Sequence, residues 1–479
     1  MKRVDVAIVG TGFTGAVFAI HLTRMANDPL DIALIDPNPN SGRGLAYGTS
    51  DPEHRLNAPI GFHLVYPDNL GHLAHWYETN RILERDPEAR GADGQIYMRR
   101  QDFGCYVGEQ LQAHAQQNPS SSRIMHLVDS VIDVDRDDSG FLLKTKGGEN
   151  LTARLVVVTT SYERPAVPRV FQDDLLTHPS FFRDPWDRER VASIGGDANV
   201  LVIGMAQTAS DVMASLITRG HAGPIQAVSR RGLRPVVRPA NAPPPPDPII
   251  ERVNRNPSLF VAKHGHQSSA LDVLRTLRHE ISDLEARGDY WTTAFNDLRD
   301  SIWQIWPALS DDAKAAFMRH LRPWFDVHRF RLPPQVETKI HAAEARGQLS
   351  FQAARLTSAT STGDAIEVTM RCRDGTTQTR AFDAVINCTG PETNPARCVN
   401  PLLRTLVQKT YASPHPLGLG FHTDATGYSI DARGNVDERL LFAGPLTYGT
   451  FGDQQGAIFI AARLAKMMPK FIGNLHRLN

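Results

Sequence analysis

Two strand, glycine-turn, helix and strand units, one at the N-terminus and one near residue 200, predict an α/β protein built on two Rossmann-like dinucleotide-binding domains. Length agrees, because 479 residues exceed one hydrophobic core at about 100 to 200 residues per domain. A polar, helix-periodic stretch after the second unit adds a helical insert. Strands that match the first domain recur late in the chain, so the second domain is expected to be inserted within the first. The expected division is 1–165 for the first domain, 166–240 for the start of the second, 241–335 for the insert, 336–385 for the return of the second domain, and 386–479 for the C-terminal part of the first.

Composition narrows the function classes. The 41% hydrophobic and 22% charged residues are those of an ordinary globular chain. Fifty-two Lys+Arg balance 52 Asp+Glu, leaving no basic field for nucleic acid or an anionic membrane. No apolar run approaches the length of a membrane span, and the N-terminus reaches Gly10 without a signal-like apolar stretch; a soluble, cytoplasmic protein with no membrane or nucleic-acid partner is expected. The four cysteines, Cys105, Cys372, Cys388 and Cys398, form no C-x-x-C pair, which argues against a disulfide relay and most zinc sites. No metal site is expected.

In the first unit, Val4 to Val9 reads as a β-branched strand, and Gly10-Thr11-Gly12-Phe13-Thr14-Gly15 opens the helical pattern Ala16 to Met25. The roles of the glycines follow from sterics. Gly10 permits the tight turn, Gly12 lets backbone approach a pyrophosphate, and Gly15 lets helix pack on strand, while Phe13 and Thr14 belong to a helix N-terminus whose amides favour anions. The strand Ile32 to Ile35 ends in Asp36, roughly 20 residues on, where a carboxylate accepts ribose hydroxyls and repels a 2′-phosphate.

The second unit runs from strand Val200–Ile203 through Gly204-Met205-Ala206-Gln207-Thr208-Ala209-Ser210-Asp211, along a helix to about Arg219, and into strand Ile225–Val228. It ends in Ser229-Arg230-Arg231, a hydroxyl and two guanidiniums suited to the 2′-phosphate of NADPH; the alternative is a solvated basic turn. Ala206 puts a methyl where the second glycine would stand. An acid-tipped unit followed by an arginine-tipped one reads as FAD followed by NADPH.

Phe141–Thr145 and Arg154–Thr159 read as further strands of the FAD domain, with a crossing to the second domain at Thr159-Thr160-Ser161. The strands ending at Asn387-Cys388-Thr389-Gly390-Pro391 and at Gly444-Pro445 read as the return to it, which makes Gly390 and Gly444 cofactor candidates. Pro243–Pro246 is a stiff breaker. Helical patterns follow at Ala270–Arg287, Trp291–Trp306 and Ser310–Leu321, where Trp303, Trp306 and Trp324 are expected to pack the insert.

Several stretches resemble the FAD/NAD(P)-binding oxidoreductases that carry G-x-A-Y-G-T followed by L-N-x-P: Gly42-Arg43-Gly44-Leu45-Ala46-Tyr47-Gly48-Thr49, Leu56-Asn57-Ala58-Pro59 and Arg99-Arg100-Gln101-Asp102-Phe103-Gly104-Cys105-Tyr106. The resemblance extends to Ser229–Leu233, His320–Trp324 and Asn387–Pro391. The Gly204–Asp211 turn and the Arg99–Tyr106 stretch are in addition similar to N-hydroxylating flavin monooxygenases. The chain differs from these by Ala206, by Thr159-Thr160-Ser161, and by Gly444-Pro445 where Gly-Asp is usual. The resemblance implies that Gln207 and Thr208 face the NADPH pyrophosphate and that Asn57 to Asp68 lies near the flavin ring, so that Asn57 contacts FAD.

The function expected is therefore an FAD-dependent, NADPH-using monooxygenase that delivers oxygen to the nitrogen of a small amine or amino acid. His63 and Arg100 are candidate substrate contacts, each with a structural role as the alternative, and Arg43, Arg55 or Arg100 are candidates for an acidic group of the substrate, with an FAD phosphate or a surface ion pair as the alternative for each. Substrate and O2 are the expected partners, a homo-oligomer being left open. Two other readings share every cofactor motif: a flavin dehydrogenase or reductase without oxygen insertion, and a non-catalytic flavin sensor.

Overall fold

The computed structural model describes residues 2–161, 164–237, 239, 247–453 and 456–478; the proline run 243–246 lies outside them. In chain order, strands β1 (Lys2–Val9), β2 (Asp31–Ile35), β3 (Arg123–Leu127), β4 (Val131–Asp137), β5 (Gly140–Thr145) and β6 (Leu151–Val158) come first. They are followed by β7 (Phe181–Phe182), β8 (Val200–Ile203), β9 (Ile225–Ser229), β10 (Leu349–Thr362), β11 (Ala365–Cys372), β12 (Thr377–Phe382) and β13 (Ala384–Asn387), and last by β14 (Tyr428–Ile430) and β15 (Val436–Phe442).

One sheet has the order β14-β15-β6-β1-β2-β3, with β5 also on β6 and β4 on β5. Its central strands are parallel, and their carboxyl ends align: Val9 pairs with Ile35 and with Val158, and Val158 pairs with Phe442. These strands are apolar on both faces because helices cover one side, where Phe13–Met25 and Ala457–Arg477 bury Ile8, Phe18, Leu34 and Phe471. A second cluster with Ala7, Phe141, Leu403 and Phe442 fills the other.

The second sheet has the order β12-β11-β10-β9-β8-β13-β7. It joins a parallel set, β7 to β10, to an antiparallel extension in which β11 pairs with β10 and β12. The chain thus holds two α/β domains, the second inserted between β6 and β14 of the first. One expectation is corrected. Ala384–Asn387 does not carry the chain back to the first domain; it is β13, wholly buried and hydrogen-bonded between β8 and β7, so a boundary at 385/386 would cut a central strand. The return comes at the turn after it. There Pro165 bridges Pro391, and the Ala166 N–H donates to the Gly390 carbonyl at 3.1 Å, so that outgoing and returning chains run side by side.

The insert is helical, including Ala270–Ala286 and Trp291–Ala308, and has a π-helical turn, Phe317–Leu321, that leads into the helix Arg322–Arg329. Its core gathers Phe260, Leu277, Phe295, Leu298 and Phe325. Trp306 is buried and donates from Nε1 to the Gly449 carbonyl at 2.7 Å, fastening insert to first domain. Trp324 packs the insert only in part: it lines an apolar pocket with Phe295 and Phe325, and half of it faces solvent. No helix among the described residues is long and apolar enough to cross a membrane.

Candidate functional site: a cleft at the ends of four strands

Because β1, β2, β6 and β15 end in register, the residues that follow them, Gly10, Asp36, Thr159 and Ala443-Gly444, share one rim. Ligands of open α/β sheets sit at that edge. Gly10 has φ +98°, and a Cβ there would lie 2.8 Å from the Thr160 nitrogen; a Cβ on Gly15 would lie 2.0 Å from the Gly10 carbonyl oxygen. The third glycine therefore seats the helix Phe13–Met25 on its strand, and the Thr159 hydroxyl locks the turn by donating to the Gly10 carbonyl at 2.6 Å.

The cleft on this rim measures about 510 Å³ and is lined by Gly10, Gly12, Phe13, Thr14 and Asp36. The Asp36 carboxylate accepts the N–H of Thr11 at 2.7 Å and of Asn38 at 2.8 Å. These bonds fix its orientation at the rim. The hydroxyl oxygen of Thr160, also on the lining, is buried with no described hydrogen-bond partner, an unspent polar group of the kind a ligand satisfies. Helix N-terminus, rim carboxylate and orphan hydroxyl together fit FAD. Gly15 underlies the cleft, and Gly444 (φ +73°) packs against Thr14, a Cβ there meeting Thr14 Oγ1 at 2.6 Å; Pro445 reaches the lining itself.

The stretch 42–49 also lines the cleft, through Arg43, Tyr47 and Thr49 among others. It lies on the helix Arg100–Gln116 because Gly104 leaves that helix bare: a Cβ there would strike the Tyr47 carbonyl oxygen at 2.4 Å. Phe103 of that helix packs against Phe13 and Tyr47, with ring centroids 5.7 and 4.7 Å away. From the second domain come Trp186 and Arg188, which no motif in the sequence marks.

His63 stands one ring behind this wall. It is buried against Phe103, centroid 5.3 Å away, with Nδ1 3.3 Å from the Pro59 carbonyl oxygen, and burial pushes its pKa down to about 4. The neutral imidazole is not among the residues that line the cleft. Arg100 donates from Nε to the Arg55 carbonyl and from Nη2 to the Asp211 carboxylate at 2.7 Å, tying helix Arg100–Gln116 to helix Gln207–Thr218 of the second domain. His54 to Ser215, Arg219 to Asp51 and Lys339 to Glu53 continue this polar seam. Arg55 is spent on a buried bidentate pair with Asp86, at 2.7 and 2.9 Å. Of the arginines expected near an acidic group, only Arg43 is on the cleft. Asn57 is half-buried, and neither it nor Gly390 is among the lining residues.

The second glycine turn has the same architecture. Gly204 (φ +119°) lies against the end of β13, a Cβ there meeting the Cys388 carbonyl oxygen at 2.3 Å, and the exposed Ala206 caps the helix Gln207–Thr218. Three residues have partners that the sequence did not reveal. Gln207 donates from Nε2 to the carbonyls of Phe330 and Arg331, holding the end of the insert. Ser229 accepts the Gly232 N–H at 3.0 Å and so shapes its own turn. Arg231 donates to the carbonyls of Arg319 and His320. Thr208 is half-buried on the first turn of the helix, and Arg230 is exposed, neither with a described hydrogen bond.

Residues 7–163 match the family described as FAD-NAD(P)-binding. This segment is an FAD-NAD(P)-binding domain. No curated protein matches the chain in sequence. Among solved structures the fold is similar to that of the ornithine hydroxylase PvdA from Pseudomonas aeruginosa, at 17% identity and TM-score 0.64 over 99% of both chains. It is likewise similar to the ornithine N-hydroxylase KtzI of Kutzneria sp. 744, at 15% identity, TM-score 0.65 and 99% of both chains. The L-lysine 6-monooxygenase of Pseudomonas syringae gives 18% identity and TM-score 0.64, again over 99% of both chains. The likeness therefore covers both domains and the insert.

Proposed function

We propose that the protein is an FAD-dependent, NADPH-using monooxygenase that hydroxylates the nitrogen of a small soluble amine or amino acid. The observation that carries the reading is the cleft itself: a dinucleotide rim from the first domain closed by Trp186 and Arg188 of the second, in a fold shared end to end with enzymes described as hydroxylating ornithine and lysine. The overall reaction balances as amine, O2, NADPH and a proton giving hydroxylamine, NADP+ and water. When bound, FAD supplies the two-electron chemistry between nicotinamide and oxygen.

The chain supplies position. Gly10 and Gly12 expose backbone to the pyrophosphate, with Arg43 on the same lining as a counter-charge; the Asp36 carboxylate, already held by two amides, offers its remaining lone pairs to the adenosine ribose. Arg230 is the guanidinium left for a 2′-phosphate. Trp186, Phe13 and Tyr47 provide apolar surface that excludes water. The seam of Arg100–Asp211 and Asp51–Arg219 holds the two dinucleotide units in register. His63 and Arg100 act behind the cleft as packing and positioning residues.

The test is a screen of amino acids and simple amines for stimulated NADPH oxidation by the FAD-loaded protein, with mass analysis for products gaining one oxygen atom. Failure of every amine to stimulate turnover, together with rapid reduction of a soluble electron acceptor, would favour the reductase reading.

A further inference from the structure

A second pocket, of about 490 Å³, lies between the insert and the C-terminal helix Ala457–Arg477 and shares no lining residue with the flavin cleft. Its volume suits a small molecule. Arg463, Lys466 and Lys470 enter it from one face of the helix, at positions i, i+3 and i+7, and Trp303, Phe451 and Phe459 supply aromatic walls.

The cations are short of counter-charge. The described ion pairs of this helix are at its far end, Arg477 with Glu438 and His476 with Asp28. Arg463 donates to the Ala425 carbonyl at 3.3 Å and Lys470 to the Thr426 hydroxyl at 3.3 Å, while Lys466 sits 4.5 Å from the Trp303 ring centroid and the Arg463 guanidinium lies over Phe451. Among the described residues, no carboxylate lines the pocket. Asp424, the acid that acts on Arg463, spends its oxygens on Thr426 and Tyr428. Burial pulls the Arg463 pKa down to about 9, with Asp424 only partly offsetting it. On the opposite wall, the Trp303 indole N–H is buried with no described acceptor.

We propose that this pocket binds a phosphorylated aromatic molecule, its phosphate among Arg463, Lys466 and Lys470 and its ring against Trp303 and Phe459. A dianionic phosphate answers three cations where a cationic amine substrate would be repelled, so the ligand differs from the one that the proposed reaction consumes. Guanidinium and phosphate match in geometry as well as in charge. A ring adds stacking and cation–π contact, which inorganic phosphate lacks.

The experiment titrates the FAD-loaded protein by calorimetry with phenyl phosphate, AMP, inorganic phosphate and benzyl alcohol. Phenyl phosphate or AMP is expected to bind at one per chain, at least about tenfold tighter than inorganic phosphate or benzyl alcohol; whichever of the two is tighter identifies a simple aryl phosphate or a nucleotide as the source. The double variant Lys466→Ala, Lys470→Ala changes exposed side chains and keeps FAD, yet is expected to weaken binding by roughly ten- to hundredfold through the lost charge-assisted contacts. Arg463→Gln should do the same. Absence of saturable binding, or affinity unchanged in the lysine variant, overturns the proposal. Neither result bears on the monooxygenase reading, because FAD content and NADPH oxidation are measured separately.

Discussion

Gly12 and Gly15 stand three residues apart in one turn and are expected to fail in different ways. A Cβ on Gly15 meets the Gly10 carbonyl oxygen at 2.0 Å and Thr159 Oγ1 at 2.7 Å. An ordinary contact is about 3.5 Å, so the helix Phe13–Met25 must retreat by roughly 1.5 Å. The first obstacle is backbone and cannot swing aside. Overpacking costs about 1–3 kcal/mol, and a backbone clash belongs at the upper end, near ~3 kcal/mol. The Cβ of an alanine at 12 meets Gly44, its Cα at 3.2 Å and its nitrogen at 3.7 Å, which a shift of a few tenths of an ångström relieves. Its methyl group instead occupies the cleft where the pyrophosphate approaches. Urea unfolding of the FAD-free proteins and flavin absorbance per chain separate the two effects: Gly15→Ala loses stability and flavin together, whereas Gly12→Ala keeps wild-type stability within about 1 kcal/mol and loses flavin. Unfolding of Gly15→Ala at the wild-type urea concentration, or full flavin retention by Gly12→Ala, would refute these two roles.

The cofactor preference rests on Arg230: its replacement by Ala should raise the apparent KM for NADPH ten- to hundredfold, from about 1.5–3 kcal/mol of charge-assisted contact, and leave NADH use unchanged. Equal loss with both cofactors would remove Arg230 from the 2′-phosphate. Arg55→Met removes the bidentate partner of the buried Asp86 carboxylate and leaves it Arg99 at 3.4 Å, so the cost in denaturant unfolding should lie at the lower end of about 3–5 kcal/mol; a change under about 1 kcal/mol would mean that Arg99 takes over the pair. For acid stability, His21 and His63 are held neutral by burial, each with its pKa lowered to about 4. The unfolded chain binds these protons near pH 6.5 and the folded one does not until about pH 4, so stability falls as pH drops between those values, by up to about 3 kcal/mol per histidine. His63→Leu should flatten that slope in urea midpoints measured at pH 7 and pH 5, and an unchanged slope would show that His63 already takes up its proton in the folded state.

What the sequence revealed was local. The glycine spacing, Asp36 at the end of an apolar strand, and the 3.6-residue periodicity of 270–287 and 291–306 each depend on neighbours within one element, and the helices form at 270–286 and 291–308. The ownership of β13 was not local: Ala-Val-Ile-Asn carries no mark of its sheet, and only its pairing with β8 and β7 assigns it. By residue type alone Arg100, Gln207 and Arg231 suit ligand contacts, because charge and amide groups match phosphates and carboxylates. Their partners in the fold, Asp211 and the carbonyls of Phe330, Arg331, Arg319 and His320, lie 88 or more residues away. Trp186 and Arg188 reach the cleft by the same long-range route. The stretches 42–49 and 99–106 could be noticed separately, but their meeting depends on the missing side chain of Gly104.

In the proposed reaction, electrons from NADPH are spent on placing oxygen on a substrate nitrogen. This is tested most directly by measuring NADPH oxidised, O2 consumed and hydroxylamine formed in one reaction, with the amine that best stimulates turnover. One of each per catalytic cycle is expected, with no product in the absence of oxygen and slow peroxide leakage when the amine is withheld. Stimulated NADPH oxidation that continues anaerobically with an electron acceptor, and that yields no oxygenated amine in air, would contradict the proposed reaction.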